Sequence, residues 1–416
     1  VACFIATGIV FWWRLLSARA HILSCRAGKA SVMNRVTLAV IVGVIVMLVV
    51  AHCSKQQALQ SANPPATATM MVERVVGGLR EPVSLVFLSQ RVMLVAERRA
   101  GRIRWVENGT LRAEPFATLP VPNPPGYHEY GLLGLAVHPN YPERPYVYAF
   151  HTVRGGDGRP DGQRVVRFTV RNGKGTALTT IVGGLPAGSQ CCHNGGRLAF
   201  GPDGMLYVTL GDMQHAELAQ QYEALPGKVL RYTPGGGIAA DNPLVVPTTS
   251  WARTDTDAQR TVDSPRTPVF TVGHRNPFGI AVSPAGDIYI TENGPDHNDE
   301  INRLVAGDNY GWPQVMGRGS DAHYRNPLWA SGRSVIAPTG AAFYTGDALP
   351  QFRGNLFFAA YTDGRLRRAV FEHRDRISSV VVVPEAGSNA RLDVAMGRDG
   401  DLYFSSLDAI YRLGVR

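Results

Sequence analysis

A histidine, a carboxylate and an arginine stand in this sequence where they can move a proton and hold an anion. The stretch CCHNGGRLAFGPDGMLYVTLGD, residues 191–212, puts His193 ahead of two glycines and a strand, with Asp212 at the end of the next strand. A hairpin brings the chain back to its starting level, so Asp212 can orient the His193 ring and fix its tautomer, as a general base requires. The glycines after His193 would let a substrate approach the backbone. In GHRNP, residues 273–277, Arg275 offers a planar, permanently charged fork for a carboxylate or a developing oxyanion, and Asn276 can donate to the same ligand. The loop GPDHNDE, residues 294–300, is dense in hard oxygen. The carbonyls of Gly294 and Pro295, the Asp299 carboxylate and Asp296 form a set suited to Ca²⁺. A single histidine and no cysteine nearby argue against structural zinc. Glu129, just ahead of a strand in EYGLLGLAVHP, is placed to reach a polar substrate. Each fragment alone reads as well or better as a capped turn, a surface ion pair or a solvated carboxylate.

What must position these groups is a repeated hairpin. Residues 135–148 read LAVHPNYPERPYVY, 198–209 LAFGPDGMLYVT, 280–291 IAVSPAGDIYIT and 394–405 VAMGRDGDLYFS. Each is an apolar strand, a turn rich in Pro, Asp, Asn or Gly, and a strand with an aromatic beside apolar residues. Residues 83–106 and 341–371 carry weaker copies. Repeats at this spacing, with little helical periodicity, indicate radial repetition. The expected fold is all-β, a six-bladed β-propeller over residues 70–416, closed by pairing residues 71–76 with the last strands, 401–413. The arginine of GHRNP and the oxygen-rich loop then flank one hairpin. Two long inserts, 235–268 and 316–337, are expected as loops on the face that carries the site.

With 45 Gly and 28 Pro in 416 residues, composition suits many tight turns. The formal charge of +9 resides mostly in residues 1–55, where Arg14, Arg19, Arg26, Lys29, Arg35 and Lys55 meet no acid. The body is nearly balanced, which argues against a nucleic-acid partner. Residues 36–51 are uncharged and almost wholly aliphatic, as in a signal h-region or short membrane anchor. We therefore expect a leader over 1–53, a linker over 54–69, export to the periplasm or envelope, and an N-terminal membrane tether if Cys53 is lipidated. Only Cys191 and Cys192 lie in the body, adjacent to one another. An oxidising compartment would let them pair; two free thiols in a turn are the other reading.

Taken together, GLLGLAVHP, HNGGRLAFGPDG, GKVLRY, GHRNPFG and NGPDHNDEIN followed by GDNYGWP occur in the order seen in the soluble PQQ-dependent sugar dehydrogenases, the glucose/aldose and sorbosone family. The chain resembles that family from about residue 72 to 413, and the family fold is the six-bladed propeller. The resemblance implies that His193 takes the proton from the sugar C1 hydroxyl as hydride passes to the quinone, with Asp212 in support. It implies that Arg275 and Asn276 bind the quinone oxygens, that Gly294, Pro295 and Asp299 hold Ca²⁺, and that Glu129 contacts the sugar. An external electron acceptor follows from the same likeness. Two departures stand out. The family's cofactor lysine falls near residues 361–363, where this chain has Thr362, and its Arg-x-Arg pair aligns with Ala390-Arg391-Leu392, leaving Arg391. Arg365 or Arg367 would have to compensate. A propeller that binds carbohydrate or protein without catalysis, or a Ca²⁺-dependent lactonase, are the competing readings.

Overall fold

The computed structural model describes residues 70–123, 129–188, 191–244 and 266–415. The expected leader and linker lie outside them. Among the described residues there are twenty-five strands, a few short 3₁₀ turns and no α-helix. After the N-terminal strand β1 (Met70–Gly77), five blades follow in chain order. The first is β2 (Pro82–Phe87), β3 (Val92–Glu97), β4 (Arg102–Glu107) and β5 (Thr110–Leu111), with β6 (Ala117–Thr118) also on β4. The second is β7 (Leu132–Val137), β8 (Tyr146–Arg154), β9 (Pro160–Arg171) and β10 (Lys174–Leu185). The third is β11 (Leu198–Phe200), β12 (Leu206–Leu210), β13 (Lys228–Tyr232) and β14 (Val269–Val272). The fourth is β15 (Pro277–Val282), β16 (Ile288–Glu292), β17 (Glu300–Arg303) and β18 (Trp329–Ala330), and the fifth is β19 (Pro338–Phe343), β20 (Leu356–Ala360), β21 (Arg367–His373) and β22 (Arg376–Val382). The sixth joins β23 (Val394–Met396), β24 (Leu402–Ser405) and β25 (Ala409–Val415) to β1, with Met70 opposite Val415 and Gly77 opposite Ala409.

The innermost strands pack side by side, β2 to β7, β11, β15, β19 and β23, and β23 returns to β2. The ring is therefore closed, and the fold is the six-bladed propeller. Strands near the axis have a blade on either face, so they read as continuous apolar runs: β12 is LYVTL and β20 LFFAA, buried throughout. The outermost β22, RISSVVV, alternates between exposed and half-buried, as a strand with one wet face must. The repeated turns are built alike: the amide N–H groups of Gly204, Gly286 and Gly400 donate to Gly201, Ser283 and Gly397 carbonyls. All three glycines have φ between 74° and 90°, which is why the motif demands glycine there. Apolar clusters fill the spaces between neighbouring blades, such as Leu133, Phe150, Val208 and Leu230 between the second and third.

Arg197, just before β11, runs into the axis. Its Nε donates to Phe278 O (2.9 Å), Nη1 to Val83 O and Leu133 O, and Nη2 to Leu392 O and the Asp393 carboxylate. Asp393 also accepts the Leu85 N–H at 2.7 Å. One buried ion pair thus ties together five innermost strands, and a Cβ on Gly340 of the remaining one would collide with it.

Two expectations need correction. The described ends of the first insert do not border the site face. β13 pairs Lys228 with Leu210 and Tyr232 with Leu206, so residues 233–244 leave from the opposite end, beside the hairpin turns. The rest of that insert, 245–265, lies outside the described residues. The second insert does border the site, but it is not all loop. Trp329–Ala330 pairs with Glu300 and Ile301 as the outer strand of its blade.

Candidate active site

The candidate residues gather where innermost strands begin and second strands end. Glu129 precedes β7, His193 precedes β11, Arg275 and Asn276 precede β15, and Arg391 precedes β23. Asp212 follows β12, and Gly294 and Pro295 follow β16.

His193 Nδ1 lies 2.7 Å from Asp212 Oδ1. A carboxylate only accepts, so Nδ1 carries the hydrogen and Nε2 keeps its lone pair, the tautomer a general base needs. Asp212 is itself fixed: Oδ1 also accepts the Gln214 N–H (2.8 Å), and Oδ2 accepts the indole N–H of Trp312 (2.8 Å). The His193 backbone has φ +63°, a conformation costly for a side-chain-bearing residue, and Met213 and Gln214 across the site are likewise left-handed. Glu129 supplies the compensation. Its Oε2 accepts the N–H groups of His193 (2.7 Å) and Asn194 (3.3 Å), and Asn276 Nδ2 donates to both its oxygens at 3.2 Å. Glu129 thus holds the His193 turn and ties it to Asn276. Cys191 and Cys192 are joined as a vicinal disulfide directly before His193, and Cys191 O accepts the Glu129 N–H.

The paired glycines have another purpose than substrate access. A Cβ on Gly195 would lie 2.7 Å from Thr209 O, and one on Gly196 would lie 2.8 Å from Leu133 Cβ. Close packing of the inner strands, not an approaching ligand, excludes side chains there.

Arg275 is held on several sides. Its N–H donates to Glu292, Nη1 to Asn293 O (3.1 Å) and Gly294 O (2.8 Å), and its guanidinium lies 5.4 Å from the Trp312 ring centre. Burial pushes its pKa down, while Asp212, Glu129, Glu292 and Asp299 pull the other way. Its charge persists regardless, because guanidinium is so strong a base. Glu292 in turn accepts from the buried His274, which stacks on Tyr310. Burial, with Glu292 close by, raises the Glu300 carboxyl to about 8.

The oxygen-rich loop is closed by protein partners. Asp299 accepts the N–H groups of Gly294 (2.9 Å), Ile336 (2.6 Å) and Ala337 (3.0 Å). Gly294 O carries the Arg275 guanidinium, and exposed Asp296 pairs with His297 and turns away. No group of three or more His, Cys, Asp or Glu is arranged to hold a metal among the described residues. A cation here would rest on carbonyls, with Asp299 as the one carboxylate.

Arg391 stays at this face. Its Nη1 donates to Tyr361 O (2.6 Å) and Thr362 O (3.4 Å), so it braces the loop where the lysine is missing. Arg367 does not compensate, because Asp363 takes both of its Nη groups at 3.0 and 2.6 Å. Arg365 is 57% exposed at 3.9 Å from the same carboxylate. Trp312, Glu292 and His274 were not singled out from the sequence. An acid ending the apolar strand IYITE and a tryptophan in NYGWP were the available signals.

The glucose/sorbosone dehydrogenase family model matches residues 79–409. The chain belongs to this family. Within it, the chain is 29% identical to aldose sugar dehydrogenase YliI of Escherichia coli, over 83% of this chain and 92% of that one. It is 30% identical to quinoprotein glucose dehydrogenase B of Acinetobacter calcoaceticus over 60% of this chain, though it spans only about half, 54%, of that relative. A solved structure, the PQQ-bound aldose sugar dehydrogenase of Streptomyces coelicolor, superposes with a TM-score of 0.69 at 29% identity, over 85% of this chain and all of that one.

Proposed function

We propose that this chain is a quinoprotein dehydrogenase that oxidises the C1 hydroxyl of an aldose to the lactone. One observation carries the reading. Next to an imidazole whose Nε2 is free to act as base lie buried atoms with no hydrogen-bond partner: Arg275 Nε, Asn276 Oδ1, Asn194 Nδ2 and Gln214 Oε1. Buried polar atoms are rarely left alone, so such a concentration is what a polar ligand bound beside them would complete. Arg275 Nε offers the donor that a quinone oxygen requires. Asn276, its amino hydrogens on Glu129, offers an acceptor as well. Arg391 is the remaining cation for the three cofactor carboxylates. PQQ, when bound, supplies the two-electron oxidising power. His193 Nε2 takes the hydroxyl proton, Asp212 steadies the resulting imidazolium, and Arg275 faces the developing negative charge.

Ca²⁺ is proposed on the carbonyls of Gly294 and Pro295 with Asp299, Gly294 O using its second lone pair beside the Arg275 Nη1 hydrogen bond. Thorough chelation, and separately Asp299→Ala, are expected to abolish aldose oxidation; activity surviving both removes the ion from the mechanism. The vicinal disulfide supports export to an oxidising compartment, periplasmic or envelope-bound. A tether through the N-terminal segment and an external electron acceptor complete the proposal.

The test is reconstitution. Purified apo-protein given PQQ and Ca²⁺ should develop the absorption of bound quinone and reduce an acceptor dye with an aldose. Thr362, and Arg391 braced on carbonyls, favour one rival: a propeller that binds sugar without the quinone. Sugar binding with no quinone band would establish that reading instead.

A further inference from the structure

We propose that Trp312 is a positioning residue that couples the proton-accepting pair to the anion-binding arginine. The assignment of roles to His193 and Arg275 rests on the function proposed above; the geometry does not. The indole N–H donates to Asp212 Oδ2, the oxygen not engaged by His193, while the ring lies against the Arg275 guanidinium. One side chain therefore touches both halves of the site.

Its own placement is over-determined. Trp312 N–H donates to Gly273 O at 3.0 Å, two residues before Arg275. Its carbonyl accepts from Gln220 Nε2 at 2.7 Å. Gln220 and Asn309 pair through both amides, Nε2 to Oδ1 at 3.0 Å and Nδ2 to Oε1 at 2.8 Å. Gln220 ends the 3₁₀ turn Ala216–Gln220, whose Leu218 and Ala219 carbonyls are gripped by the buried Lys228 ammonium at 2.8 and 3.0 Å. A strand residue of the third blade thus fixes an aromatic from the fourth. GKVLRY and NYGWP meet in one device.

The consequence is electrostatic. A donor on Oδ2 draws negative charge away from Oδ1 and moderates the pull of Asp212 on the imidazole proton. Without it, the protonated ring is favoured and the base is freed only at higher pH. The charged groups facing this pair are Glu129, through the His193 backbone N–H, and Arg275, whose carbonyl accepts the Asp212 N–H. His215 and Glu217 follow in the chain but are largely exposed and pair with each other.

Two substitutions separate the contributions. Trp312→Phe keeps a ring over Arg275 and removes the N–H. It should leave quinone affinity within about twofold and move the acid limb of the kcat/KM profile up by about half to one pH unit. Trp312→Leu should do the same and also weaken quinone binding by roughly 3- to 30-fold. In apo-protein, ¹H–¹⁵N spectra of the imidazole nitrogens should show the His193 titration midpoint moving in the same direction, a readout that needs neither cofactor nor turnover. Gln220→Ala, which frees the Trp312 carbonyl, should give a smaller change of the same sign. Unchanged imidazole titration in both Trp312→Phe and Gln220→Ala overturns the proposal. A shifted titration in a protein that oxidises no aldose would sustain it while removing the dehydrogenase reading.

Discussion

His193→Ala is expected to lower aldose turnover by roughly 10²–10⁴-fold, the usual worth of a general base. Water is a poor proton acceptor at neutral pH, and no other described side chain pairs a free imidazole nitrogen with a buried orienting carboxylate and an adjoining guanidinium. His138 is buried among Tyr146, Tyr148 and Phe200, and His274 is spent between Glu292 and Thr271. Quinone binding should be largely kept, because Arg275, Asn276 and the carbonyl loop remain. Asp212→Asn should cost less than loss of the base, but more than a simple loss of charge would suggest. An amide there must turn its NH₂ either toward the indole N–H of Trp312 or toward His193 Nδ1. The first sets two donors face to face, and the second demands the wrong tautomer. Steady-state rates, with bound quinone followed by absorbance, check both variants. An alanine variant with wild-type turnover would defeat the assignment.

Asp393→Ala should destabilise the propeller by about 3–5 kcal/mol, since it strands a buried guanidinium. Side-chain exposure of Arg197 and Asp393 is 5% and 8%, so water cannot replace the lost partner. The Leu85 N–H loses its acceptor at the same time. A fall in the urea midpoint with an unchanged slope would register this. The paired change Arg197→Met with Asp393→Leu should recover much of the loss, as apolar replacement of buried ion pairs often does. Equal stability of Asp393→Ala and wild type would show that the axis is wetter than its geometry implies.

The sequence exposed the blades because three of the inner hairpins repeat one turn, and that turn requires glycine at a fixed place. It exposed His193, Asp212 and Arg275 because hairpin geometry returns strand ends to one level. It hid whatever depends on distant partners. Arg197 in GGRLAF reads as an ordinary surface base, and nothing local says that four other strands will offer it carbonyls. Glu129 was legible as a polar group at a strand entrance, but not its grip on the N–H groups of the His193 turn, which belongs to another blade. The described ends of the first insert leave from the face opposite to the one expected, because a run of apolar residues alone does not tell where a third strand ends. Trp312 was invisible for a similar reason: its partners Asp212, Gly273 and Gln220 come from the preceding blade and its loops.

The clasp of β1 onto β25 also has a consequence for how the molecule is made. These strands come from opposite ends of the described chain, so every other blade can be assembled while β1 still lacks its partner. Contacts of such long range are slow to form, because the entropy of closing the loop is lost before the pairing compensates. Until residues 409–415 arrive, the growing polypeptide carries β1 unpaired and an open wedge between its first and last finished blades. That interval is when a chaperone would have most to shield, and when a ribosome stalled before residue 409 would leave finished blades on an unclosed ring.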